Sequence, residues 1–261
     1  MVVAMSGSSE NLERTSRNVT GADHGSNSKT HDGGDVLSAF YDAVYRRRDV
    51  RGEFTGEAVD PRVLERLLEA AHAAPSVGLS QPWDFIVVTS EETRRQFVGH
   101  IQGERQIFAD SLDPEQARRF STIKIDGVLE SSVSIIVTYS PDRGGPHVLG
   151  RHSIADAGLY STCLAIENLW LACTVEGWGL GWVSFYREEF VSELLGLPAA
   201  VRPVAWLCVG PVRFLQEVPD LERHGWRERS SLASVVHHDR WSPGVSWRDS
   251  ASPLGGAVRS N

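Results

Sequence analysis

Residues 159–186 read LYSTCLAIENLWLACTVEGWGLGWVSFY, and the spacing of apolar residues changes midway along them. With Ile154 and Ala157 just upstream, Tyr160, Leu164, Leu171 and Val175 recur at helical intervals, and Cys163, Trp170 and Ala172 widen the stripe. A helix apolar on most sides, from about Ser153 to Glu176, is a buried one, packed in part against another subunit. Gly177 ends it, and GLGWVSFY (179–186) continues as an apolar strand. A buried helix feeding a buried strand calls for a sheet covered by helices.

The flanks extend this pattern. VAWLCVGPV (204–212) is a second strand, separated from the first by the helix REEFVSELLG, which Gly196 and Pro198 terminate. FIVVTS (85–90) and VSIIVTYS (133–140) add two more strands. Upstream, Asp60 and Pro61 open a helix whose stripe is Val63, Leu64, Leu67, Leu68 and Ala71, and VLSAFYDAVYRR forms the first ordered helix. Ser90 followed by Glu91 and Glu92 starts another helix, but periodicity from Thr93 to about Asp126 is too weak to place its elements, and this segment is a candidate lid. Helices interleaved with four strands give an α/β or α+β class.

Residues 1–35 are polar and are expected to form a disordered tail, leaving 36–261 as one domain. A net charge of -8 argues against nucleic acid as a partner. With no signal-like segment or spanning apolar run, a cytoplasmic protein without membrane attachment is expected. Cys163, Cys173 and Cys208 lack metal-ligand spacing and read as reduced core residues.

Three stretches bear chemistry. RRRDVRGEF (46–54) sets four arginines around Asp49; guanidinium forks suit phosphate, and a solvated helix end with surface ion pairs fits the cluster equally well. AAPSVGLSQPWDF (73–85) supplies Ser76, Ser80 and Gln81 on a loop broken by proline and glycine, which suits a planar heterocycle but taken alone reads better as a plain turn holding a core tryptophan. GWGLGWVSF (177–185) leaves Ser184 beside Trp182, with neither a hydrolase elbow nor Rossmann glycine spacing. Arg227 and Arg229 follow in GWRERSS. Two arginine sets and a planar-ligand loop fit a ligand with a phosphate tail and an aromatic head.

Taken together, RRDVRGEF, AAHAAPSVGLSQPW, KIDGVLESSVSIIVT, DRGGPHVLGR and LYSTCLAIENLWLACTVEGWGLGWVSF resemble the nitroreductase superfamily of FMN-binding proteins. Within it they are most similar to the 5,6-dimethylbenzimidazole synthase branch, through Asp49, Ser80, RGGP, LGR and GWVS. The resemblance implies an α+β fold with a central, mainly antiparallel sheet flanked by helices, and a homodimer with FMN at its interface. It implies that Arg47, Arg48, Arg51, Arg227 and Arg229 hold FMN, joined by Ser76, Ser80, Gln81 and Trp182. Asp49 and Ser184 match the residues at the reacting ring and ribityl chain, Asp49 as acid–base group. The reaction implied is dioxygen-dependent, metal-free fragmentation of reduced FMN, which a separate flavin reductase supplies, into 5,6-dimethylbenzimidazole and erythrose 4-phosphate. An NAD(P)H-dependent nitroreductase or flavin reductase and a non-catalytic flavin binder are the competing readings. Ser131-Ser132 departs from the Ala-Pro common in the branch.

Overall fold

The computed structural model describes residues 33–241. Most of the polar tail expected over residues 1–35 therefore lies outside the described residues. Helix α1 (Gly33–Arg46) leads into an extended run before α2 (Pro61–His72). Asp60 caps α2 as predicted: its carboxylate accepts the Arg62 N–H at 2.9 Å, and Pro61 sits where no intrahelical donor is lost. Strand β1 (Trp83–Val88), helices α3 (Glu91–Asp110) and α4 (Pro114–Ser121), and strand β2 (Val133–Tyr139) follow. Then come α5 (Ala157–Val175), β3 (Trp178–Val183), α6 (Glu188–Leu195), β4 (Arg202–Pro211) and the single turn α7 (Asp220–Arg223).

The four strands form one sheet in the order β1-β2-β4-β3, with every neighbouring pair antiparallel. The α+β expectation holds. One face carries Ile135, Val137, Leu207 and Val209 against Leu67 and Ala71 of α2 and Ala165, Ile166 and Leu169 of α5. The other carries Ile136, Trp206 and Cys208 against Phe97 and Ile101 of α3, with the Phe97 ring stacked 3.6 Å from that of Trp206. Burial on both faces is why the central strands read as unbroken apolar runs rather than alternating ones.

Three expectations need correction. Helix α5 begins at Ala157, four residues later than the periodicity implied, and Ile154 lies exposed in the preceding turn. Cys163 is exposed on α5, whereas Cys173 and Cys208 are buried. The undivided segment 93–126 contains two helices: Ser90 caps α3, and Asp113 caps α4 by accepting the Glu115 and Gln116 N–H groups at 2.9 Å. Charged residues on both helices mask their stripes, since α3 buries an arginine, Arg94, beside Phe97 and Ile101. No helix among the described residues is long and apolar enough to cross a membrane.

Candidate active site

The arginine-rich stretch after α1 runs alongside the outer edge of β3. Asp49 forms an isolated bridge with Leu180, and the Val50 N–H donates to the Leu180 carbonyl at 3.0 Å. This approach depends on the sequence GLG: a Cβ on Gly181 would collide with the Val50 carbonyl and the Arg51 guanidinium. The turn from α5 into β3 also needs glycine, because Gly177 has φ of +74°.

That edge contact presents the Asp49 carboxylate to a recess. Its Oδ1 accepts the Trp182 N–H at 2.9 Å and an Arg51 N–H at 2.8 Å, while Oδ2 lies 2.7 Å from Arg51 Nη2. Protein crowds the group on most sides, and its side chain remains 47% accessible through the recess. Desolvation raises its pKa above the ordinary aspartate value, against the opposing pull of Arg51, the Trp182 N–H and Arg47.

Arg51 is committed to protein groups. Its Nε donates to the Ile125 carbonyl at 3.0 Å, Nη1 to the Val50 carbonyl at 3.1 Å, and Nη2 to the Trp182 carbonyl at 2.5 Å. It joins the Asp49 run, β3 and the segment following α4. Arg47 and Arg48 turn the other way. The Arg47 guanidinium lies 4.6 Å over the Trp170 ring and 3.8 Å from Glu167. Arg48 donates to the Tyr45, Arg47 and Glu217 carbonyls, its buried Nε has no partner, and no carboxylate pairs with it among the described residues. Desolvation, then Arg229 and Arg47, lowers its pKa. Arg48, crowded by two further cations and holding an unspent buried donor, forms a setting suited to an anion.

The recess beside Asp49 has a volume of about 240 Å³. It is lined by Arg51, Trp182, Ser184 and Phe185, by residues 123–125, and by Asp220 and Leu221. Ser184 is exposed, and its hydroxyl makes no hydrogen bond among the described residues. Composition and spacing did not single out the wall of residues 123–125. Its signal was KID, the start of one of the family-like stretches, and Lys124 there pairs with Glu130.

The other sequence-predicted residues lie apart from this recess. The Ser76 hydroxyl accepts the Gln81 N–H at 3.0 Å and the Ser80 hydroxyl donates to the Val77 carbonyl at 2.8 Å, so both brace a tight loop. Gln81 adopts φ of +42°, and its amide reaches His72. Trp83 is 2% exposed and donates to His72 Nδ1 at 3.2 Å, as a core tryptophan. Arg227 and Arg229 are exposed after α7, with Arg229 the nearer to Arg48.

Comparison with known proteins is consistent with this geometry. The 5,6-dimethylbenzimidazole synthase of Rhodobacter capsulatus is 36% identical over 182 residues, covering 70% of this chain and 87% of that protein. A BluB-like flavoprotein from Clostridium difficile 630 shares the fold at a TM-score of 0.55 and 21% identity, covering 69% of this chain and 92% of that one. Oxidised iodotyrosine deiodinase, in a crystal structure bound to FMN and 3-iodo-L-tyrosine, superposes at a TM-score of 0.60 and 20% identity, over 77% of this chain and all of that one. Residues 44–211, from the last turn of α1 to the end of β4, match the nitroreductase family, and the chain belongs to it.

Proposed function

We propose that this protein converts reduced FMN, with dioxygen, into 5,6-dimethylbenzimidazole, releasing erythrose 4-phosphate. The observation that carries the proposal is Asp49: a carboxylate of raised pKa, fixed by Arg51 and the Trp182 N–H and open to a recess that Ser184 also faces. Similarity to the Rhodobacter capsulatus synthase supports it. Reduced FMN supplies the dimethylbenzene ring, its two nitrogens and one ribityl carbon of the product; dioxygen is the oxidant, and the pyrimidine part of the flavin leaves as a separate oxidised fragment.

The residues present suit that substrate. Arg48 and Arg229, with Arg47 beside them, would bind its phosphate, and the spare Arg48 Nε offers a donor already desolvated. Arg51 serves as the strut that aims Asp49 rather than as a phosphate ligand, because all three of its nitrogens are engaged within the protein. Asp49 accepts and returns protons at the ribityl chain, and Ser184 orients the ring by hydrogen bonding. The segment 123–125 covers the recess and limits water.

A recess of about 240 Å³ admits only part of FMN, below the usual range for small-molecule sites. A second copy of the chain completes the site. Leu37, Phe40 and Tyr45 on α1 and Tyr160 and Leu164 on α5 are exposed, an apolar surface suited to a homodimer. The braced loop of Ser76, Ser80 and Gln81, remote from its own chain's Asp49, then reaches the flavin of the other copy. Arg227 takes a supporting position near the phosphate. A separate flavin reductase supplies the reduced substrate.

The test is a single turnover: protein mixed with chemically reduced FMN, exposed to air and assayed by mass spectrometry. Wild-type protein yields dimethylbenzimidazole and Asp49→Asn yields less than about a hundredth as much, as expected for loss of a general acid–base group. Near wild-type yield from the variant removes Asp49 from the chemistry.

A further inference from the structure

Beyond Ser184 the chain passes through Phe185 and Tyr186 toward α6, and a second recess of about 320 Å³ opens there against α3. It shares Ser184 and Phe185 with the recess beside Asp49, so one short segment separates the two. Ile107, Phe108 and Phe185 give it an apolar side. The Phe108 and Phe185 rings meet edge to face at 5.6 Å and 81°, and Ile107, 57% exposed, stands at the outer side.

Glu104, Ser111, Ser184 and Tyr186 supply its polar groups, and the Ser111 hydroxyl is engaged with the Phe108 carbonyl at 2.7 Å. Glu104 Oε1 accepts the Arg187 Nε–H at 2.7 Å, leaving Oε2 without a hydrogen bond among the described residues, and the Tyr186 hydroxyl also makes none. With its one nearby guanidinium already paired to Glu104, this recess is a poor site for a phosphate. Aromatic walls with an acceptor at one edge suit a small planar base carrying a ring N–H.

We propose that the second recess is a release site for the benzimidazole product, which passes Ser184 and lodges among Phe108, Phe185 and Ile107 with its ring N–H directed to Glu104. This rests on the proposed function for the identity of the ligand, yet binding is measurable without turnover. Moving the product across one segment clears the recess beside Asp49.

The experiment is calorimetric titration of authentic 5,6-dimethylbenzimidazole into purified full-length protein, alone and with saturating oxidised FMN. Saturable binding is expected, with a Kd that changes less than about twofold when FMN is present, as for two separate sites. Ile107→Glu, at an exposed helix position, is expected to weaken that binding about tenfold or more by placing a charge at the apolar wall, with FMN affinity and circular dichroism unchanged. Absence of saturable binding, competitive displacement by FMN, or indifference to Ile107→Glu each overturns the site. A protein that binds the product this way but never forms it retains the site and loses the activity; one that forms it without binding it loses the site alone.

Discussion

Asp49 sits where opposing forces meet, and desolvation is the largest of them. Crowding by protein favours the neutral acid, while Arg51 and the Trp182 N–H favour the carboxylate; the net shift is upward. An acid whose pKa is higher folded than unfolded binds more protons in the native state between the two values. Its contribution to stability is full below the unfolded pKa and is lost as pH rises through the folded one. Asp49→Asn therefore raises Tm relative to wild type more at pH 7 than at pH 4, measurable by calorimetry, and an equal difference at both values contradicts the shift. If Arg48 and Arg229 hold the phosphate, Arg229→Gln weakens FMN binding about tenfold, the worth of one charge-assisted hydrogen bond, and leaves riboflavin binding unchanged by fluorescence titration. Ser131 and Ser132, the departure from the branch's Ala-Pro, have local partners: Arg94 donates to the Ser131 carbonyl at 2.5 Å, and the Ser132 hydroxyl donates to the Glu57 carbonyl. The direction of the Asp49 and Ser184 side chains toward one recess was not visible in sequence, although both residues were identifiable there.

Among the elements, the contact between the Asp49 run and β3 holds the site together. It needs the absence of a side chain at Gly181, so Gly181→Ala is expected to cost at least about 1–3 kcal/mol by overpacking, read as a lowered Tm. Loss of product formation accompanies it, because any shift at Val50 carries Asp49 with it. The strands and the helix capped by Asp60 were legible because each had its own punctuation and an apolar run or stripe, whereas for α3 only the Ser90 cap could be read. Helix α4 was missed despite the Asp113-Pro114 pair, since two arginines in its eight residues obscured the single buried Phe120. The role of Arg51 was illegible for another reason. Its partners are the carbonyls of Ile125 and Trp182, and any residue type supplies a carbonyl.

For the whole molecule, a sheet buried on both faces fixes the recess rigidly, while the surface of α1 and α5 remains apolar and open. If a second copy covers that surface and completes the flavin site, then Phe40→Glu yields a monomer by sedimentation velocity and reduces FMN affinity, with the helical spectrum kept. A dimer that survives the substitution, or a monomer that binds FMN as well as wild type, contradicts that arrangement. The proposed assembly was only partly legible, because an apolar face on a helix reads the same whether its own core or another chain covers it. The central claim is that the flavin is consumed rather than recycled. Its most direct test uses reduced FMN carrying carbon-13 at the first ribityl carbon, reacted with the protein in air and analysed by mass spectrometry. The account predicts 5,6-dimethylbenzimidazole one mass unit heavier, labelled at the carbon between its two nitrogens; recovery of the label entirely in intact oxidised FMN would contradict it.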